Sequence, residues 1–229
     1  MPCEHDGHRV RLKHRFIKSG LDDFEPHNVI ELILFYSVPR KDTNPLAHRL
    51  IERFGSLSAV LDAKPEELMK VDGVTENTAV LLSMLPQVAR KYLEDKTDVT
   101  NLVSDIGDIG AYFMPKFIGR TVETMMLASI DNKGKIVCCS IIAEGDSTRA
   151  SVSKRKIMEE AIRVGATRVV LAHNHPMGFA VPSDEDIDMT EKVYALLRTV
   201  GIELIDHIIF SQDDFVSLAA SGIEFRKKF

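Results

Sequence analysis

The stretch Arg168-Val-Val-Leu-Ala-His-Asn-His-Pro-Met-Gly-Phe-Ala-Val-Pro-Ser-Asp-Glu-Asp186 carries two structural signals and one chemical one. Its first part, Arg168 to His173, is a short apolar run with branched side chains, the composition of a buried strand. Its last part, Pro182-Ser183-Asp184-Glu185-Asp186, has the form of a helix start, a hydroxyl residue ahead of an acidic first turn. A strand that feeds a helix is the unit of an α/β fold. Between the two signals lie His173, Asn174 and His175, so the whole reads His-x-His-x7-Ser-x-x-Asp.

Side chains two apart on an extended chain point to one face, so His173 and His175 reach a common point. Asp186, in the first turn of the following helix, can swing its carboxylate back toward the strand end. Two imidazoles and a carboxylate suit zinc better than magnesium. They leave a tetrahedral ion with one position open to water, which is a catalytic arrangement and not a closed structural one. Plainer readings exist. Ser183 with Asp186 three residues on is also a helix N-cap with a capping-box partner, although that box prefers the longer Glu or Gln. Two histidines at i and i+2 also fit a partly exposed turn. The conjunction of all four residues at this spacing favours the metal.

The spacing resembles the JAMM (MPN+) metalloprotease motif, and the wider run Leu171-Ala-His-Asn-His-Pro-Met-Gly178 resembles RadC-like JAB domains. The resemblance extends through Gly145 and Asp146, the helical run from Ser153 to Gly165 and the segment Asp186-Ile-Asp-Met-Thr190, with a weaker match over the N-terminal half. It implies a zinc-binding, cytidine-deaminase-like JAB/MPN sheet flanked by helices. It also implies an upstream glutamate that acts on the metal's water, with Ser183 helping to hold an oxyanion. Glu123, in Thr121-Val-Glu-Thr-Met-Met-Leu-Ala-Ser-Ile-Asp131, stands at the position matching that glutamate. An ionised carboxylate at the start of so apolar a run is costly without a cationic neighbour, and an exposed strand end is the plain alternative. Glu144, Glu159 and Glu160 compete for the role; the last two fall on a helix rich in Lys and Arg, where ion pairs account for them.

The chain departs from the family it resembles just after the histidines. Its members usually carry Ser and then Gly-Asp-Pro, whereas Met177-Gly178-Phe179-Ala180 stands here, which leaves the ligands intact and makes the neighbouring loop apolar. Cys138 and Cys139 offer no second zinc site, because strand neighbours point to opposite faces and no Cys-x-x-Cys occurs. A zinc deaminase shares the expected fold but requires His-x-Glu and Pro-Cys-x-x-Cys, both missing.

At 229 residues and 45% hydrophobic composition the chain is long enough for one or two ordinary soluble domains. Three cysteines, two of them adjacent, argue against a disulfide framework and for a reducing cytoplasm. The N-terminal tract Met-Pro-Cys-Glu-His-Asp-Gly-His lacks an apolar signal core, and Leu32 to Val38 is too short to span a bilayer, so no membrane partner is expected. Cys3, His5 and His8 could chelate weakly, but the tract reads as a disordered tail.

Apolar positions recur at helical spacing over 28–36, 44–54, 56–61 and 79–93, which predicts a small all-α domain at 1–95. The polar stretch 96–104 reads as a linker. Over 105–229, strand signals near 122–130, 136–143, 168–173, 203–210 and 214–218 interleave with helix signals near 106–117, 153–164 and 184–199, an α/β (α+β) pattern. In the first domain, Glu66 to Val80 resembles a helix-hairpin-helix motif, whose glycine turn at Gly73 implies phosphate capture by backbone amides. Thr75 replaces the usual second glycine and Glu76 adds a negative charge. Residues 1–95 hold 13 Lys or Arg against 15 Asp or Glu, so any DNA contact through this domain is expected to be weak. The cationic run Arg9 to Lys18 is either a contact strip or a solvated face. Two function classes follow: a zinc hydrolase of amide bonds in a protein or peptide substrate, or a non-enzymatic module associated with DNA or protein, as the DNA-repair label often given to this family would have it.

Overall fold

The computed structural model describes residues 4–39, 41–97, 106–145, 154–211 and 214–223. Cys3, residues 98–104 of the expected linker, Asp146 and Ser153 lie outside the described residues. The chain divides into two compact units, Met1–Ala89 and Arg90–Phe229. Among the described residues no helix is long and apolar enough to cross a membrane.

The first unit is helical: α1 (Glu4–Ser19), α2 (Pro26–Leu34), α3 (Asn44–Phe54), α4 (Leu57–Asp62), α5 (Pro65–Leu68) and α6 (Glu76–Thr97) as far as Ala89. Leu34, Leu50, Val60, Leu68, Ala79 and Leu82 form its core. The polar N-terminal tract read as a tail is helical from Glu4 onward. Its partners explain this. Leu12 packs with Leu32 and Phe35, His8 Nε2 lies 2.8 Å from the buried Glu31 carboxylate, and the Arg9 guanidinium donates to the carbonyls of Val38 and Lys41. Arg9 also sits 4.6 Å over the Phe35 ring and Arg15 4.5 Å over Phe24. Part of the cationic run is thus built into helix packing, and its long side chains cover apolar surface.

The second unit runs α7 (Ile106–Phe117), β1 (Thr124–Ile130), β2 (Ile136–Glu144), α8 (Lys154–Arg163), β3 (Arg168–Asn174), α9 (Asp184–Thr199), β4 (Glu203–Phe210) and β5 (Phe215–Ser217). The sheet order is β2-β1-β3-β4-β5. Neighbours are antiparallel except β3 and β4, which are parallel and joined through α9, the crossover that such a pair requires. Ile157, Ala161, Val193 and Leu197 of α8 and α9 cover one face, against Leu127, Val169, Leu171 and Ile209. Ile109, Phe113 and Phe117 of α7 cover the other, against Met126, Ala128, Val170 and Ile208. A Cβ on Gly110 would lie 2.6 Å from the Phe215 ring, so only glycine lets that ring rest on α7. Being covered on both faces, β1 and β3 are apolar along their length instead of alternating.

Two details of register place the site. Met125 pairs with His173, and residues opposite each other on antiparallel strands share a face, so His173 looks toward α9 as Met125 does. Between β3 and β4 the register slips: Val169 pairs with Leu204 but Val170 with Asp206. Ile205 is the extra residue of this bulge, and the shift sets His207 opposite Leu171 on the α9 side.

Candidate metal centre

The end of β3 and the start of α9 bring His173, His175 and Asp186 together, with candidate ligand atoms all within 4.8 Å of one another. The nearest separations are 2.9 Å between the two Nε2 atoms, 3.3 Å from His173 Nε2 to Asp186 Oδ1, and 3.8 Å from His175 Nε2 to Asp186 Oδ2. Two ligand atoms bound to tetrahedral zinc at its usual N and O distances lie about 3.3 Å apart, a figure these three bracket. Side-chain exposure falls from 20% at His175 to 7% at His173, so the site opens to solvent on the His175 side.

The surroundings of these three groups suit them as ligands. His175 Nδ1 is 3.0 Å from the Phe179 carbonyl and must donate to it, which leaves Nε2 bare in the neutral ring. His173 is almost wholly buried, and that burial lowers its pKa to about 4, so the ring is neutral near pH 7. Burial works to raise the Asp186 carboxyl. His173 beside it and two hydrogen bonds from Ser183, amide and hydroxyl, outweigh that and hold it below the usual carboxylate value. Lone pairs and a negative charge converging at these distances repel one another unless a cation sits among them. The donor set fits a divalent metal.

Ser183 and Asp186 also form the capping box that opens α9. The Ser183 hydroxyl accepts from the Asp186 amide at 3.2 Å and donates to Asp186 Oδ2 at 2.7 Å, and Oδ2 takes the Ser183 amide at 2.9 Å. The two sequence readings of this pair are therefore compatible: one oxygen of Asp186 closes the helix end while Oδ1 faces His173. The cap fixes the carboxylate in space.

Glu123 stands one residue ahead of β1 and is half-buried. Its charge acts on the His173 imidazole. The backbone around it is clamped. Asn174, between the two histidines, accepts from the Thr124 amide at 2.8 Å and donates to the carbonyls of Arg120 and Val122, both at 3.3 Å, while the Glu123 carbonyl accepts from Gly145. The competing carboxylates are spoken for: Glu144 by Arg120, Glu159 by Arg155, Glu160 by Arg163 and Ser140.

Sequence reasoning missed three residues here: Asn174, His207 and Thr190. A histidine inside the apolar strand Glu203–Phe210, fully buried, was the available signal, since an imidazole in such a place needs a partner.

Gly73 lies in the other unit, in the turn between α5 and α6, with φ +93°. The carbonyl of Asp72 beside it accepts from Arg49 at 3.1 Å, and Thr75 caps α6 through the Thr78 amide.

Residues 103–223, more than half of the chain, match the family model of the RadC-like JAB domain. The chain belongs to that family. Similar relatives are UPF0758 proteins from Fusobacterium nucleatum subsp. nucleatum, 30% identical over 227 residues (96% of this chain, 98% of the relative), Ruegeria pomeroyi, 31% over 222 residues (97% and 99%), and Carboxydothermus hydrogenoformans, 30% over 214 residues (93% and 95%). These matches run nearly end to end, so they cover the residues of the helical N-terminal unit as well as those of the sheet.

Proposed function

We propose that this RadC-like JAB protein is a zinc-dependent amide hydrolase, of metallopeptidase or isopeptidase type, acting on a protein or peptide. One observation carries the reading: two imidazole nitrogens and a carboxylate converge at tetrahedral spacing, beside the segment that carries Glu123. His173, His175 and Asp186 would hold the ion. When bound, the ion would supply a water of lowered pKa and a Lewis acid for the substrate carbonyl. Glu123 would take the proton of the attacking water and return it to the amide nitrogen as the C–N bond breaks. We assign Ser183 to the developing oxyanion, for which its hydroxyl turns from Asp186 Oδ2 to the substrate. Asn174 contributes by holding the Glu123 segment against the ligand strand.

The test is turnover of a library of peptides and isopeptides by the full chain. Activity should vanish on incubation with a chelator and return when zinc is restored. Turnover indifferent to chelation would overturn the metal mechanism.

The alternative reading, an association with DNA, draws on the Gly73 turn. That turn spends its neighbouring cation on Asp72 and opens α6 with Glu76, and the charge count of 1–95 is slightly acidic. Binding of the full chain to duplex DNA should therefore be weak and fall steeply as salt rises, since phosphate contacts dominate such affinity. Tight binding near physiological salt, surviving substitution of Gly73 and of Arg11, Lys13 and Lys18, would put the DNA role first.

A further inference from the structure

A chain of hydrogen bonds runs from the buried side of His173 back to the helix that supplies Asp186. His173 Nδ1 lies 2.8 Å from His207 Nε2, His207 Nδ1 lies 2.6 Å from Thr190 Oγ1, and Thr190 Oγ1 lies 2.6 Å from the Asp186 carbonyl. Thr190 and His207 are wholly buried, so no solvent molecule competes for these partners. We infer that Thr190 and His207 are positioning residues that fix the tautomer of His173, keeping its proton on Nδ1 and its Nε2 lone pair turned to the metal centre.

The direction of the relay follows from its last link. A carbonyl only accepts, and two oxygens 2.6 Å apart repel unless a proton lies between them, so the Thr190 hydroxyl donates to the Asp186 carbonyl. Thr190 has one proton and has used it; toward His207 it can only accept. His207 Nδ1 therefore carries the proton, and in a neutral ring His207 Nε2 is then an acceptor. It takes the His173 Nδ1 proton, and His173 Nε2 is left bare. The opposite direction would put the proton of His173 on Nε2, where it blocks coordination. The relay begins and ends on residues of one centre, because the carbonyl that terminates it belongs to Asp186. The helix register that presents the carboxylate is the register that orients the imidazole. Partners of this outer kind typically contribute ten- to a hundredfold to metal affinity.

This inference rests on the metal-centre reading above, and the experiment keeps the two apart. The 15N shifts of the imidazoles in the metal-free full chain report the His173 tautomer directly, and a chelator competition reports zinc affinity. Wild type should show Nδ1–H at His173 and at His207. Thr190→Val, which keeps the shape and removes the acceptor, should lose that pattern and weaken zinc binding roughly ten- to a hundredfold, while Thr190→Ser restores both. A wild-type His173 carrying its proton on Nε2, or a Thr190→Val protein with unchanged zinc affinity, overturns the relay. Should Thr190→Val fail to fold, the wild-type shifts alone decide. A wild type that binds no zinc overturns the metal centre, and the shifts still decide the relay.

Discussion

Alanine at both His173 and His175 should empty the protein of tight zinc, where the wild type should carry about one ion per molecule by elemental analysis. Each of the single changes His173→Ala, His175→Ala and Asp186→Ala should also abolish tight binding, because a site with three protein ligands left with two loses most of the binding free energy of a structured zinc centre. The three singles should differ in what else they cost. His175 is partly exposed and its removal should leave stability nearly unchanged. His173 is buried against the α9 face, so its loss opens space in the core and leaves His207 Nε2 without its partner, a cost of about 1–3 kcal/mol for the orphaned atom. Asp186→Ala breaks the capping box of α9 as well, for about 1 kcal/mol, and Asp186→Asn is the companion that spares more of the cap. Melting curves beside the zinc determination separate folding from coordination. Stoichiometric zinc retained by the His173→Ala, His175→Ala double variant would sink the ligand assignment.

What could be read in the sequence was what local pattern encodes. The apolar run before His173, the acidic helix start after Ser183 and the i, i+2 histidines are all written within nineteen consecutive residues, from Arg168 to Asp186, and each survives as the geometry of β3 and α9. Helical periodicity likewise located α2, α3, α4 and α6. The pairing of β1 with β3 instead of with its sequence neighbour alone, and the slip at Ile205, depend on partners far along the chain. The partnership of His207 with His173 became legible only through that slip, the two being 34 residues apart and set side by side by the bulge. Helix α1 was missed for a related reason. Its residues are mostly polar, and what makes them a helix is the buried Glu31, the carbonyls of Val38 and Lys41 and the rings of Phe24 and Phe35, none of which local pattern in 4–19 records. Asn174 illustrates the same limit at the site itself. Its neighbours in sequence are ligands, yet its own contacts hold a segment some fifty residues upstream, the one that carries Glu123.

Glu123→Gln should keep its zinc and its fold and lose amide hydrolysis by a factor of a hundred or more, the usual consequence of removing a positioned acid or base. The substitution preserves shape and hydrogen bonding but cannot take a proton. Zinc is retained because the ligand set closes without Glu123: the converging group is His173, His175 and Asp186. The fold is retained because the segment is held by its backbone, through Asn174 on Thr124 and Val122 and through Gly145 on the Glu123 carbonyl, and none of these bonds uses the carboxylate. Substrate affinity should change little, so the loss falls on kcat and carries kcat/KM down with it. The measurement is zinc content beside turnover of the peptide and isopeptide library for wild type and variant under one buffer. A fully active Glu123→Gln protein would refute the general-base role, and a zinc-loaded wild type inert toward every amide would leave the non-enzymatic module as the better account of why this chain keeps His173, His175 and Asp186 together.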